Sequence, residues 1–111
     1  MSDRVREYVR SFVAKDLNAI AAMLDPEIRF WDPNLGRVHG AQAVTKAYAE
    51  IFASTPTLRC DVVQVLADDP WTVFEFRLEI GEEVLRGTDL IRWTSEGRIA
   101  ELRAYVNPDK A

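Results

Sequence analysis

The chain has 111 residues, and its 14 basic and 18 acidic side chains give it a net charge of −4. This length predicts one domain, over residues 1–111, and the acidic balance argues against nucleic acid and anionic membranes as partners. A hydrophobic fraction of 48% and a charged fraction of 29% exclude a disordered or collagen-like chain.

The single cysteine and single histidine exclude an internal disulfide and, within one chain, a zinc site of the common Cys/His type. No apolar run approaches the length of about 18 residues that a membrane span needs. The charged residues 1–7 lack the apolar segment of a secretory signal. We therefore expect a cytoplasmic protein.

Apolar residues at helical spacing predict a first helix over about 3–14. Its apolar stripe consists of Val5, Tyr8, Val9, Phe12 and Val13. Asp16 is a good N-cap for a second, short helix, which Asp25-Pro26 ends because the residue before proline disfavours the helical conformation. A third helix is predicted over about 41–53.

Alternating side chains predict a strand over 27–32, which the turn at 33–36 ends. Four further strands are predicted near 58–67, 71–80, 83–94 and 98–106. Short turns separate them, which is typical of antiparallel neighbours. Helices followed by strands indicate an α+β fold, with three N-terminal helices packed on one face of a curved antiparallel sheet.

The outward face of the later strands alternates in charge. It carries Glu75, Arg77, Arg86, Arg92, Glu101 and Arg103. This pattern is typical of a solvated or subunit-facing sheet surface with cross-strand ion pairs.

Three polar side chains interrupt the inward faces. Period-2 alternation places Asp89 beside Ile91 and Asp32 beside Phe30, and Tyr8 lies within the apolar helix stripe. Burying an unpaired charge is costly. Tyr8 could be a satisfied core tyrosine, Asp32 could bond the backbone of the turn that follows it, and Asp89 could pair with an arginine. Together, however, the three groups would define a small-molecule pocket.

Two carboxyl groups in an apolar pocket can differ in pKa when one lies near the rim and the other lies deeper. The carboxyl group nearer water can take a proton. The deeper one can stay protonated and, with a neighbouring phenol, donate hydrogen bonds to one developing oxyanion. The corresponding reaction is proton abstraction next to a carbonyl, and it requires no metal or cofactor.

Two other reactive residue types have structural interpretations. His39 is predicted in a loop before the third helix, in a surface or helix N-terminal role. Cys60 alternates with Leu58 and Val62, which predicts an inert buried thiol.

The chain resembles a ketosteroid isomerase (steroid delta-isomerase) over nearly its whole length, within the SnoaL-like and nuclear-transport-factor-2-like (NTF2-like) superfamily. The segments that carry this resemblance are residues 7–9, 15–17, 31–33, 38–40, 87–93 and 97–99. The resemblance implies a cystatin-like cone made by the helices and the curved sheet. It also implies a homodimer and an apolar ketone or steroid-like ligand.

The resemblance further implies catalytic roles for three residues. Asp32, in an Asp-Pro pair ending the first strand, matches the family's base. Tyr8 and Asp89 match its two oxyanion donors, and Tyr48 on the third helix matches a supporting tyrosine. We expect the volume of the substrate pocket to depend on Phe12, Val44, Phe52, Phe74, Phe76, Ile91, Trp93 and Leu102.

Other functions in the superfamily remain open. A SnoaL-like polyketide cyclase would use Asp89 as its working carboxyl group, and a ligand-binding or dimerising module would use the cone without catalysis. A related epoxide hydrolase family places arginine two residues before the strand aspartate. That position is Gly87 here, and Arg86 is predicted on the opposite face.

Overall fold

A computed structural model describes residues 2–109 of the chain. These residues form three helices and six strands, joined by turns and loops. Met1, Lys110 and Ala111, the ends of the predicted domain, lie outside the described residues. The helices are α1 (Ser2–Val13), α2 (Leu17–Met23) and α3 (Ala41–Ser54). The strands are β1 (Leu24–Asp32), β2 (Gly36–His39), β3 (Leu58–Asp68), β4 (Trp71–Ile80), β5 (Glu83–Trp93) and β6 (Ile99–Pro108).

The predicted cap of α2 is present. The Asp16 side chain accepts a hydrogen bond from the Ala19 backbone N–H at 3.0 Å. The helix ends at Met23, just before the predicted stop at Asp25-Pro26, because Leu24 is already extended and pairs with Ile99 of β6.

The six strands form one sheet in the order β2-β1-β6-β5-β4-β3. The pairs formed by β3, β4, β5 and β6 are antiparallel, as their short turns predict. β1, however, runs parallel to β6, so the sheet is mixed. The first strand of the chain therefore lies beside its last strand. Turn residues give no information about a pairing between segments so far apart in sequence.

The short strand β2 was not predicted. It folds back onto β1, with Asp32 opposite Gly36 and Arg29 opposite His39. The sequence predicted His39 in a loop, but the residue ends strand β2. Four residues are too few for a recognisable alternation.

The helices cover one face of the sheet, and the core lies between them. Phe74, Phe76 and Leu78 on β4 are buried, as are Ile91 and Trp93 on β5, which confirms the predicted inward faces. The opposite face carries the predicted cross-strand ion pair, in which Arg92 Nε lies 3.8 Å from Glu101 Oε1. No helix among residues 2–109 is long and apolar enough to span a membrane.

Candidate active site

A cavity of about 300 Å³ lies between the helices and the inner face of the sheet. This volume is near the lower end of the range of small-molecule pockets. Most of its wall is apolar and aromatic. The lining residues are Tyr8, Val9, Phe12, Phe30, Asp32, Pro33, Asn34, Leu35, Tyr48, Ile51, Ser54, Thr55, Cys60, Phe74, Phe76, Leu78, Ile80, Leu85, Asp89, Leu102, Ala104 and Val106. All four predicted chemical groups, Tyr8, Asp32, Tyr48 and Asp89, are therefore on the wall of one cavity.

Asp89 is a buried carboxyl group that lacks a compensating partner. β5 places it opposite Phe74 and Ala104 in the neighbouring strands, and its side chain is 6% exposed. Among the described residues, its Oδ1 atom has no hydrogen-bond partner, and no arginine forms an ion pair with it. Burial, and then the negative charge of Asp32, raise its pKa to about 7. A large fraction of Asp89 is therefore a neutral acid near pH 7 and can donate a hydrogen bond.

Tyr8 and Tyr48 form a hydrogen-bonded pair of phenols on the cavity wall. α1 and α3 bring their hydroxyl oxygens to 2.5 Å, and either can be the donor. Burial, and then electrostatic repulsion between the two phenols when they ionise, raise the pKa of Tyr8 well above its ordinary value. The pKa of Tyr48 is also raised, chiefly by burial. Both groups are therefore neutral hydrogen-bond donors near pH 7. The Tyr8 hydroxyl is satisfied within the protein, and its partner also faces the cavity.

Asp32 ends β1 at the rim of the cavity. Its Oδ1 atom accepts hydrogen bonds from the backbone N–H groups of Asn34, at 2.9 Å, and Leu35, at 2.6 Å. The predicted bonding of Asp32 to its own turn is therefore present. The same residue lines the cavity, where its charge raises the pKa values of Asp89 and Tyr48. One carboxyl group thus lies at the rim and a second one deeper, as predicted.

Four of the eight residues predicted to set the pocket volume do line the cavity. They are Phe12, Phe74, Phe76 and Leu102.

The prediction is wrong for the other four, Val44, Phe52, Ile91 and Trp93, which are buried in the core and do not line the cavity. Trp93 lies toward one end of β5, where its indole N–H donates to Thr72 Oγ1 at 2.9 Å. The period of a strand tells which face a side chain occupies, but it does not tell how far along the strand the cavity extends.

Cys60 belongs to the cavity wall, which the sequence analysis missed. Its side chain is only partly buried, so the predicted buried thiol is corrected in this respect. Burial, and then the negative charge of Asp89, raise the pKa of the thiol to about 12. The signal was available in the alternation, because Cys60 shares the inward face of β3 with Leu58, which is buried.

His39 takes no part in this cavity. Its side chain is exposed, and its Nε2 atom lies 3.6 Å from Glu27 Oε1, so the predicted surface position is confirmed. Within residues 2–109, no three His, Cys, Asp or Glu side chains are grouped so that they could hold a metal ion.

The architecture is the NTF2-like cone that the resemblance implies, with helices packed on a curved mixed sheet. The family model of the SnoaL-like domain matches residues 5–102. The chain belongs to the SnoaL-like domain family. No curated protein sequence matches the chain.

Solved structures with this fold include proteins of several described activities. A proposed ketosteroid isomerase from Kribbella flavida is 19% identical with a TM-score of 0.83, and the match covers 98% of this chain and 78% of that one. A proposed SnoaL-like polyketide cyclase from Jannaschia is 15% identical with a TM-score of 0.83, over 96% of this chain and 84% of that one. An epoxide hydrolase from M. tuberculosis is 16% identical with a TM-score of 0.77, and the match covers 95% of this chain and 80% of that one. Other matched proteins are of unknown function. These similarities support the fold alone.

Proposed function

We propose that the protein is an isomerase that converts a β,γ-unsaturated ketone into its conjugated α,β isomer by proton transfer. The observation that carries the proposal is the buried Asp89 carboxyl group, whose Oδ1 atom has no partner within residues 2–109 and which faces an apolar cavity. A buried polar atom without a partner is costly, and a ligand oxygen would satisfy it. Tyr8 and Asp32 on the same wall supply the other two groups that this reaction needs.

Asp32 is the proposed base. Its Oδ1 atom is occupied by two backbone amides, so Oδ2 is the oxygen left to act on a ligand. In the proposed first step, Asp32 takes the proton from the carbon between the carbonyl and the alkene, and the C–H electron pair forms a dienolate. In the second step, Asp32 returns the proton to the γ carbon, the double bond moves into conjugation, and the carbonyl re-forms.

Tyr8 and protonated Asp89 are the proposed donors to the dienolate oxygen. Burial raises the pKa of both groups, which favours the neutral forms that carry a proton to donate. Tyr48 supports them. When its hydroxyl donates to the Tyr8 oxygen, the Tyr8 proton is free to point at the ligand. Donors fixed in advance inside an apolar cavity stabilise developing charge more strongly than water does.

The size and chemistry of the cavity limit the alternatives. A volume of about 300 Å³ suits a compact ketone, or the reacting end of a larger steroid-like ligand. The arginine of the epoxide hydrolase pattern has no room at Gly87, where even a Cβ atom would lie 2.7 Å from the Tyr105 carbonyl oxygen. A cyclase that uses Asp89 as its working carboxyl group, or a binding module without catalysis, would leave a ketone unisomerised.

The test is a spectrophotometric assay for the conjugated enone, with cyclohex-3-enone and a Δ5-3-ketosteroid as substrates. We expect wild-type protein and Asp68→Asn to turn over at least one of them, and Asp32→Asn to be inactive. Asp68 is a matched control because it is an exposed aspartate on β3 that does not line the cavity. Equal activity in the two variants, or no turnover of either ketone by wild-type protein, would contradict the proposal.

We also propose a cytoplasmic homodimer that pairs through the open face of the sheet. Arg29 and Arg37 lie at the β1/β2 end of this face, and Asp61 and Asp68 lie at the β3 end. A two-fold axis along the strands would bring these opposite charges together. Light scattering on the purified protein would give a dimer mass, and a monomer at micromolar concentration would contradict the proposal.

A further inference from the structure

The turn after β1 holds an apolar side chain in an unusual position. Leu35 is 43% exposed and lines the cavity. The other large exposed apolar side chains of residues 2–109 do not line it; they are Val62, Val63, Leu66 and Tyr105. An exposed leucine at the rim of an apolar cavity can bury its surface against a ligand that extends out of that cavity.

The position of Leu35 is fixed by Asp32. The Leu35 and Asn34 backbone N–H groups both donate to one oxygen, Asp32 Oδ1, at 2.6 and 2.9 Å. Gly36, with a φ of +71°, completes the reversal and starts β2. Hydrogen bonds to an ionised carboxylate are roughly twice as strong as those between neutral groups. The charge of Asp32 therefore holds the rim in place.

We infer that Leu35 is a specificity-determining residue, an apolar rim that selects ligands extending beyond the cavity, and that Asp32 is its positioning residue. The inference rests on the proposed function in one respect only: the ligand is taken to be a ketone or enol whose oxygen is held inside the cavity. The rim is held most firmly while Asp32 is ionised.

The binding test compares two phenols, which imitate an enol: phenol, which fits inside the cavity, and 4-phenylphenol, whose second ring would reach the rim. We expect Leu35→Ala to weaken 4-phenylphenol binding about fivefold or more, from lost apolar burial, and to change phenol binding less than twofold. Leu66→Ala is the matched control, since Leu66 is an exposed leucine away from the cavity, and it should change neither affinity.

Equal weakening of both phenols in Leu35→Ala, no weakening of either, or no binding of 4-phenylphenol to wild-type protein would overturn the inference. Turnover is not part of this test. The expected binding pattern in a protein that isomerises no ketone would therefore contradict the proposed function and leave the role of Leu35 standing.

Amide hydrogen exchange tests whether Asp32 holds the Leu35 rim in place. We expect the Leu35 amide to be protected in wild-type protein, less protected in Asp32→Asn, which keeps an acceptor oxygen without the charge, and unprotected in Asp32→Ala. Equal exchange in all three proteins would overturn the positioning role. The Ala19 amide, which bonds to Asp16 instead, is the internal control and should be unaffected.

Discussion

The hydroxyl oxygens of Tyr8 and Tyr48 lie 2.5 Å apart, although 40 residues separate them in the chain. Each hydroxyl is buried among aromatic rings, where an unmade hydrogen bond is costly. The pair therefore ties α1 to α3 at the cavity wall. When Tyr48 is the donor in this pair, the Tyr8 proton is free to point at a ligand oxygen.

This pairing makes Tyr8→Phe a specific test of an oxyanion donor. We expect kcat to fall by about 10²–10³, as for the loss of one such donor, with a much smaller rise in KM. Tyr48→Phe should lower kcat less, because Tyr8 keeps its own proton. Steady-state kinetics with the ketone that wild-type protein turns over would check this, and a rise in KM alone in Tyr8→Phe would count against the role.

The raised pKa of Asp89 predicts how stability varies with pH. In the unfolded chain its pKa is close to 3.8, and in the folded protein it is about 7. Between these values the folded state binds the extra proton, so this group's contribution to stability falls as pH rises through the window and levels off above pH 7. The whole effect has an upper limit of about 4 kcal/mol.

Asp89→Asn removes this dependence. Urea unfolding between pH 4 and 9 should show the variant gaining stability relative to wild-type protein as pH rises. Asp68→Asn, at an exposed site outside the cavity, is the matched control. A constant difference between Asp89→Asn and wild-type protein across the range would mean that Asp89 is not buried as described.

The Cys60 thiol should react slowly despite its position on the cavity wall. With a pKa of about 12, its thiolate is scarce at pH 7. We expect iodoacetamide to modify folded protein far more slowly than urea-unfolded protein, as followed by intact mass. Asp89→Asn should speed the reaction because the negative charge of Asp89 contributes to the raised pKa. Reaction of the folded and unfolded proteins at similar rates would contradict this account.

Gly87 is required by the close approach of its neighbours. A Cβ atom there would lie 2.7 Å from the Tyr105 carbonyl oxygen and 2.8 Å from the Phe76 ring. We expect Gly87→Ala to cost about 2–3 kcal/mol of unfolding free energy, since backbone cannot easily move aside. Gly36→Ala should cost about 1 kcal/mol, because only its positive φ is strained and no atom lies within 4 Å. Urea unfolding would measure both, and the reverse order would contradict the packing at Gly87.

Regular periodicity explains what the sequence analysis could predict. The period of two along β5 was enough to place Asp89 on the inward face, and the helical stripe of α1 was enough to place Tyr8 there. The unusual positions of these polar groups then pointed to a cavity, and the cavity contains both.

Features that depend on long-range packing were beyond the sequence. The parallel pairing of β1 with β6 joins segments whose contact no local signal records. Val44 and Ile91 face inward as predicted, but they lie in the close-packed core and do not line the cavity. The extent of a cavity depends on how all the neighbouring side chains pack, which the sequence pattern does not show. The hydrogen bond between Tyr8 and Tyr48 follows from the same packing.

The most direct test of the central claim separates binding from proton transfer at Asp32. Phenol affinity and ketone turnover are measured on the same preparations of wild-type protein and Asp32→Asn. If Asp32 is the base, the variant loses turnover by at least about 10³, and phenol binds as well or better because a negative charge near its oxygen is gone. Parallel loss of affinity and turnover would contradict the account and leave Asp32 only as the anchor of its turn.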